Sequence, residues 1–131
     1  MFIKDIVNSE FHKLSEEETI LSASTYMEKE KIRNLPVVNK DNKLTGLITL
    51  REIVDILSTH EEPEKILIKD AMLKQISSVE PTMPLKGAIE MMVLNKFSCL
   101  PVIDEDKTLF GFITESDLLK TLYDLAKKQC L

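Results

Sequence analysis

Hydrophobic and polar residues alternate in blocks that predict short strands and amphipathic helices along the whole chain. Residues 35–38 and 44–48 form two apolar runs, and the polar segment 39–43 between them has the length and composition of a hairpin turn. Apolar residues recur at helical spacing before this hairpin, over residues 19–31, and after it, over residues 50–58. With a short strand over residues 12–14, the first half of the chain reads β-α-β-β-α.

The same order of elements returns in the second half at a fixed displacement. Gly46 and Gly111 are 65 positions apart, and at that shift, without a gap, residues 35–37 (Leu-Pro-Val) align with residues 100–102 (Leu-Pro-Val). The opening residues 3–5 (Ile-Lys-Asp) align with residues 68–70 (Ile-Lys-Asp). A gapless match over half the chain indicates two copies of one supersecondary unit. The second copy predicts a strand over 76–79, a helix over 84–96, strands over 100–103 and 109–113, and a final helix from 114 to 128.

This repeat sets the expected domain organisation. Residues 1–58 form the first repeat, 59–65 a polar linker, and 66–131 the second repeat. A unit of about 55 residues cannot bury both its sheet face and its helix stripes alone. We therefore expect one compact α/β (α+β) module, in which the two β-α-β-β-α repeats pack with pseudo-two-fold symmetry and form two related clefts.

Each repeat places a threonine at the end of its last strand and an acidic residue three positions later. These pairs are Thr49 with Glu52, and Thr114 with Asp117. The spacing is that of a capping box, which starts a helix. The same point also presents a hydroxyl, a carboxylate and free N–H groups, which suit the phosphate and sugar of a nucleotide. From the residues alone, a simple helix cap and a nucleotide site both remain open.

Composition and charge narrow the classes of function. The chain has 131 residues, of which 44% are hydrophobic and 30% charged, which is ordinary for a globular protein. Its formal charge of −5 disfavours general binding to nucleic acid or to an anionic membrane surface. No targeting segment and no apolar run of the ~20 residues needed to span a bilayer is present, so we expect a cytoplasmic protein without membrane insertion.

Catalytic and metal-binding patterns are absent from the sequence. It contains no nucleophile motif and no phosphate loop, and His12 and His60 lack a second metal ligand at useful spacing. We therefore expect no enzyme, no catalytic residues and no metal. Cys99 and Cys130 fit no disulfide framework, and Cys99 is expected to be a buried, reduced thiol.

The duplicated pattern resembles a known family. Leu-Pro-Val followed by Val or Ile, a polar turn, Gly-h-h-Thr-x-x-Asp/Glu and an opening Ile-Lys-Asp, in tandem, are similar to the cystathionine-β-synthase-type (CBS) domain pair, or Bateman module. The resemblance implies the CBS-pair architecture and a regulatory role towards an enzyme or transporter. It also implies a homodimer and an adenosine-containing ligand in the clefts, namely AMP, ADP, ATP or S-adenosylmethionine, with no required cofactor.

Carried over by position, the resemblance implies two sites. In the second-repeat site the polar contacts and the adenine wall would come from Thr114, Ser116, Asp117, Ser98, His12 and Ile32. In the first-repeat site they would come from Thr49, Arg51, Glu52, Arg33, Ser77 and Phe97. Glu52 stands where the family pattern has an aspartate, which leaves two interpretations. Arg33 and Arg51 form an anion clamp that prefers more phosphates, or the first site takes no ligand.

Two functional hypotheses of different classes follow. The first is a sensor whose shape responds to an adenosine ligand and is recognised by a partner protein. The second is a ligand-independent dimerisation or interaction module, in which both Thr-x-x-acid segments are only helix caps.

Overall fold

The structure, a computed structural model, describes residues 1–8 and 10–129. Its regular elements follow one another in a duplicated order. They are the 3-10 turn Ile3–Asp5, β1 (Leu14–Ser15), α1 (Ile20–Glu30), β2 (Asn34–Val38), β3 (Leu44–Thr49), α2 (Leu50–Thr59), the 3-10 turns Pro63–Lys65 and Ile68–Asp70, α3 (Leu85–Asn95), β4 (Cys99–Ile103), β5 (Leu109–Thr114) and α4 (Glu115–Gln129). The four helices and both hairpins are thus confirmed, each end within one residue of its prediction.

The backbone repeats as closely as the sequence does. Lys31 and Lys96, which end α1 and α3, both adopt left-handed conformations with φ of 57°. In the hairpin turns, Asn42 (φ 61°) and Lys107 (φ 66°) do the same. Each pair is 65 positions apart, and such conformations are uncommon for residues other than glycine. The displacement read from the sequence is therefore also a displacement in backbone geometry.

The strand that opens each copy differs from its prediction. The strand predicted over residues 12–14 is β1 at Leu14–Ser15, so it begins two residues later than predicted. The prediction of a strand over residues 76–79 is wrong in extent, since only Val79 pairs, in a parallel bridge with Val102. In the first copy, β1 pairs parallel to β2, and the N–H of Glu16 then donates to the Val38 carbonyl at 2.9 Å. The residue equivalent to Glu16 is Pro81, which has no N–H to donate. The pairing stops at that point.

The chain forms two compact units, and each takes its opening turn from the other copy of the repeat. The first-repeat unit consists of His12–Ile76 and Asp106–Leu109. The second-repeat unit consists of Met1–Phe11, Ser77–Glu105 and the described residues from Phe110 on. We call residues 1–8 and 66–73 the opening segments.

Equivalent backbone hydrogen bonds fix the two opening segments. In the second-repeat unit, the N–H of Ile3 donates to the Met83 carbonyl at 2.9 Å and that of Lys4 to the Pro81 carbonyl at 2.9 Å. In the first-repeat unit, the N–H of Ile68 donates to the Glu18 carbonyl at 2.7 Å and that of Lys69 to the Glu16 carbonyl at 3.0 Å. The side chains of Ile3 and Ile68 are fully buried, so each opening segment is part of the core that it covers.

Each unit has its own hydrophobic core. The three-stranded sheet of the first-repeat unit has the order β1-β2-β3, with β2 and β3 antiparallel and β1 parallel to β2. Its core contains Leu14, Ile20, Ala23, Met27, Leu35, Val37, Ile48, Ile53 and Ile68. In the second-repeat unit β4 neighbours β5, and the core contains Ile3, Val79, Ala88, Met92, Leu100, Val102 and Ile113.

Candidate functional site

The start of α2 is a closed capping box. The N–H of Thr49 donates to Glu52 Oε1 at 3.0 Å, and the Thr49 hydroxyl donates to the same oxygen at 2.5 Å. The backbone of Glu52 in turn donates to the Thr49 side chain. One residue on, the N–H of Leu50 donates to the Arg33 carbonyl at 2.8 Å. The helix start is therefore tied to the residues that precede β2.

The start of α4 repeats this arrangement with a shorter acid. Asp117 Oδ2 accepts the N–H of Thr114 at 2.8 Å and its hydroxyl at 3.1 Å. The N–H of Asp117 donates back to Thr114 Oγ1 at 3.3 Å, and the N–H of Glu115 donates to the Ser98 carbonyl at 3.2 Å. Aspartate and glutamate therefore close the same box, and the missing methylene does not change the cap.

The Asp117 carboxylate keeps acceptor capacity for a ligand. The residue is exposed, and all its side-chain hydrogen bonds to other described residues use Oδ2. A carboxylate offers about four lone-pair positions on its two oxygens. The cap thus leaves Oδ1 free to accept from a hydroxyl pair, and the exposed Ser116 lies beside it on the first turn of α4.

The predicted site residues divide between the two units. Thr114, Ser116, Asp117 and Ser98 belong to the second-repeat unit, and the structure brings them together at the start of α4. The residues predicted for the adenine side of that site, His12 and Ile32, belong to the first-repeat unit. For the first-repeat site, the start of α2 gathers Thr49, Arg51, Glu52 and Arg33, whereas Ser77 and Phe97 belong to the second-repeat unit.

His12 has a partner that the sequence analysis missed. Its Nδ1 lies 2.5 Å from the Tyr26 hydroxyl, and the two rings meet edge to face with centroids 5.4 Å apart. Burial and the nearby charges of Glu30 and Glu18 raise the pKa of Tyr26. The two residues are 14 positions apart, a separation that no local pattern reveals. Ile32 packs against the core of the first-repeat unit, as Phe97 does in the second.

A cavity of about 440 Å³ lies beside the start of α2 in the first-repeat unit. Its lining comes from the last two turns of α1, the loop after it and the first residue of α2. These residues are Ser24, Met27, Glu28, Lys31, Ile32, Arg33 and Leu50. Two of the residues predicted for binding, Arg33 and Ile32, therefore face one cavity.

A second cavity, of about 550 Å³, lies in the second-repeat unit. Its two walls are an opening segment and one face of α4, and the predicted ligand residue Asp117 lies on the second wall. The lining is Met1, Asp5, Ile6, Val7, Asn8, Asp117, Lys120, Thr121, Asp124, Leu125 and Lys128. The sequence pattern gave no reason to place residues 1–8 near α4, because the repeat assigns them to the other copy.

The described residues were compared with the expectations for a metal site, a reactive thiol and a membrane span. Within 1–8 and 10–129, no three His, Cys, Asp or Glu side chains group closely enough to hold a metal ion. Cys99 is buried as predicted, and burial raises the pKa of its thiol to about 11. Cys130 lies outside the described residues. No helix in the described part of the chain is long and apolar enough to cross a membrane.

The profile of the CBS domain family matches residues 3–59 and again residues 68–124. The chain belongs to the CBS domain family, as a tandem pair. The resemblance drawn from the duplicated motif is therefore confirmed, together with the α/β CBS-pair fold.

Relatives of the CBS pair occur both within longer proteins and at similar length. Inosine-5'-monophosphate dehydrogenase of Methanocaldococcus jannaschii is 33% identical over 118 residues, which cover 90% of this chain. That match covers 22% of the dehydrogenase, so the chain spans about a fifth of its length. A proposed acetoin utilization protein (AcuB) from Vibrio cholerae superposes with a TM-score of 0.92 at 27% identity, covering 98% of this chain and 95% of that one.

A further solved CBS pair contains ligands. The CBS domain pair of protein MJ0100, in complex with 5'-methylthioadenosine and S-adenosyl-L-methionine, superposes with a TM-score of 0.80. The match covers 95% of this chain and 97% of that one at 23% identity. At this identity the likeness shows the shared fold alone.

Proposed function

We propose that this CBS pair is a cytoplasmic regulatory module that binds an adenosine ligand and modulates a partner protein in trans. The observation that carries the proposal is the exposed Asp117 carboxylate, held by the Thr114 cap with one oxygen still able to accept. The candidate ligands are AMP, ADP, ATP and S-adenosylmethionine. Its role is regulatory rather than catalytic.

The chemistry of the α4 start suits a nucleoside. Two adjacent hydroxyls, as on ribose, donate well to one carboxylate, and charge-assisted hydrogen bonds of this kind are the strong ones. The cap holds the Asp117 side chain before any ligand arrives, so little rotamer entropy is lost on binding. Ser116 lies on the first turn of α4, and the carbonyl of Ser98 accepts the N–H of Glu115 beside it. The dipole at this helix start favours phosphate.

The relatives support the ligand class and the regulatory role. The MJ0100 pair was solved with two adenosine derivatives, and the dehydrogenase relative carries its matching segment within a longer enzyme. By analogy, this chain would control an enzyme or a transporter. A ligand changes the equilibrium between two conformations only if it binds them with different affinities. Regulation therefore requires a second conformation that binds the ligand less well.

We also propose that the module forms a homodimer through α2 and α4. Val54 and Leu57 on α2 are 50% and 41% exposed, and the equivalent Leu119 and Leu122 on α4 are 65% and 54% exposed. Each pair is spaced three residues apart and therefore lies on one helix face. Each pair is an exposed apolar patch on its own unit, at the same positions of both repeats, and such a patch suits contact with a second copy.

A ligand-independent interaction module is the second candidate. Both capping boxes close fully within the protein, so neither helix start needs a ligand for its own hydrogen bonds. In this case the exposed apolar helix faces would be the functional surface.

A thermal-shift series with AMP, ADP, ATP, S-adenosylmethionine and GTP tests the proposal, run on the wild type, Asp117→Ala and Asp117→Glu. An adenosine ligand at 100 times its Kd adds about 2.7 kcal/mol to the free energy of unfolding. GTP is the control for adenine recognition.

The two variants separate the cap from the ligand contact. Asp117→Glu preserves the capping box, as Glu52 does in α2, but displaces the carboxylate by one methylene. We expect it to melt like the wild type without ligand and to lose most of the ligand-induced shift. If no adenosine ligand shifts the wild type, the function is that of an interaction module.

A further inference from the structure

The cavity between residues 1–8 and α4 is lined in part by a stretch of α4 that has no counterpart in α2. The two helices begin at equivalent positions, but α4 has 15 residues and α2 has 10. The cavity-lining residues Leu125 and Lys128 lie in this extension, whereas the equivalent positions of the first repeat follow the end of α2 at Thr59. The duplicated pattern therefore does not account for this wall of the cavity.

Charges of both signs alternate along the α4 wall. Lys120, Asp124 and Lys128 line the cavity at successive turns of the helix, and all three are exposed. Residues four apart on a helix are neighbours and can pair, but within 1–8 and 10–129 none of the three forms an ion pair. An exposed pair of this kind would contribute little to stability. A ligand can therefore engage these charges at small cost.

A carboxylate on the opposite wall is fixed in place. Asp5 Oδ2 accepts the N–H of Phe2 at 2.7 Å, which caps the 3-10 turn of this opening segment. The segment is anchored in turn, because the N–H of Leu85 donates to the Met1 carbonyl at 2.9 Å. Asp5 is exposed, and its side-chain hydrogen bond to the described residues leaves Oδ1 able to accept. A carboxylate that is already held suits an ammonium group, because little rotamer entropy is lost on binding.

The cavity also has an apolar part. Ile6 and Val7 of the opening segment and Leu125 of α4 line it, and all three are half-buried. Val7 packs so closely on Gly111 that no Cβ fits between them, and its N–H donates to the Ile3 carbonyl at 3.0 Å. The volume of about 550 Å³ lies in the range of about 300–1,000 Å³ that is usual for small-molecule sites. This part of the cavity can therefore hold an aliphatic side chain.

We propose that this cavity binds a free α-amino acid with an aliphatic side chain. Asp5 and Asp124 accept from its ammonium group, Lys120 donates to its carboxylate, and the apolar part of the cavity holds its side chain. A ligand with charge of one sign only would meet like charges on α4, so the alternation favours a zwitterion.

The cation that this site takes is organic, and the site does not depend on the adenosine ligand. Within residues 1–8 and 10–129, the carboxylates do not group closely enough to hold a metal ion. Asp117, which carries the adenosine proposal, is not one of the proposed contacts to the amino acid. The two proposals can therefore fail separately.

The first part of the test is calorimetric titration of the wild type with L-leucine, L-isoleucine, L-valine and L-methionine. The amino acid that binds best is then compared with its amide, which lacks the carboxylate, and with its deamino acid, which lacks the ammonium group. We expect it to bind at least about tenfold more tightly than either analogue, because each analogue loses one set of charge-assisted hydrogen bonds.

The second part compares variants of both walls with matched controls. Lys120→Gln removes the cation, and Asp5→Asn removes the negative charge while its amide oxygen can still accept the Phe2 N–H. The controls are Lys127→Gln, since Lys127 is exposed on α4 and does not line the cavity, and Asp70→Asn, the equivalent change in the other opening segment. Both cavity variants should bind the amino acid at least about fivefold more weakly, and both controls should match the wild type.

Three outcomes would overturn the proposal: none of the four amino acids binds, the best one binds no more tightly than its analogues, or the cavity variants bind like their controls. Asp117→Glu separates this site from the proposed function, since it should keep the amino acid while losing the adenosine ligand. Amino-acid binding without binding of any adenosine ligand would support the cavity site and remove the adenosine sensor.

Discussion

The backbone of Leu73 crosses Gly46 so closely that a Cβ on this glycine would lie 2.9 Å from the Leu73 carbonyl oxygen. Two hydrogen bonds fix the crossing, since the N–H of Leu47 donates to that oxygen at 2.9 Å and the N–H of Leu73 donates to the Leu47 carbonyl at 2.8 Å. The equivalent Gly111 lies against Val7 and Asn8 of the other opening segment. Each strand glycine therefore leaves the space in which an opening segment packs. Neither glycine has a positive φ, so backbone conformation is not a second reason for glycine at these positions.

Gly46→Ala should lower the free energy of unfolding by about 1–3 kcal/mol, because the added methyl group overpacks the crossing. A Cβ at this position would also lie 2.8 Å from Met72 Cγ. Urea denaturation measures the change. Gly87→Ala is the control, because a Cβ there would meet only Met83 atoms at 3.5 Å and alanine favours the α3 helix by about 0.5–1 kcal/mol. If both substitutions change the free energy of unfolding in the same direction, the close approach of Leu73 is not what requires glycine at position 46.

The fold could be predicted from the sequence because its local signals agree with each other. Turn residues, strand alternation and helical spacing all repeat at the same displacement, so an error in one copy would be visible in the other. The exception at Pro81 has a local cause, the missing N–H. The exchange of opening segments could not be predicted, because residues 3–5 and 68–70 have the same sequence and either could pack on either copy.

The candidate site was predictable only where its residues are close in sequence. Thr114 and Asp117 are three positions apart, and their capping box follows from that spacing. The contact of His12 with Tyr26 and the position of Asp5 near Asp117 depend on tertiary packing, which leaves no periodic signal.

The capping role of Asp117 predicts a stability loss that is independent of any ligand. Asp117→Ala removes the acceptor for the Thr114 N–H and a negative charge from the first turn of α4, at a cost of about 1 kcal/mol in the free energy of unfolding. Asp117→Glu should retain the wild-type value. The control is Asp124→Ala, because Asp124 is an exposed carboxylate later in the same helix. This substitution should change the free energy of unfolding by less than about 0.5 kcal/mol. A loss in Asp124→Ala as large as that in Asp117→Ala would argue against the capping role.

The proposed homodimer predicts a mass of twice the 15.0 kDa chain in sedimentation analysis. Leu119→Ser combined with Leu122→Ser should shift the equilibrium towards the monomer, because both side chains are more than half exposed on α4 and would lose their apolar contact with the second copy.

The control for this surface is Val93→Ser with Leu94→Ser on α3. These side chains are 68% and 77% exposed, but their equivalents on α1 are Glu28 and Lys29, so the apolar face is not repeated. The control should retain the dimer mass. A wild type that sediments at 15.0 kDa would rule out the dimer, and dissociation by the α3 pair alone would move the interface there.

Cys99 predicts a stability loss at high pH. Burial is the main cause that raises the pKa of its thiol from 9.0 to about 11, opposed by a hydrogen bond with Ser98 and aided by the charge of Glu115. The folded state therefore holds the proton more tightly than the unfolded chain. This contribution is complete below pH 9 and is lost as the pH rises towards 11, with a total of about 2–3 kcal/mol.

The measurement is the free energy of unfolding in urea at pH 8 and at pH 10.5 under reducing conditions, for the wild type and Cys99→Ala. The two proteins differ only at residue 99, so the difference between their pH dependences isolates Cys99. We expect the wild type to lose more stability than the variant over this interval. Parallel losses would mean that the Cys99 thiol ionises as readily in the folded protein as in the unfolded chain, and that its burial does not protect the proton.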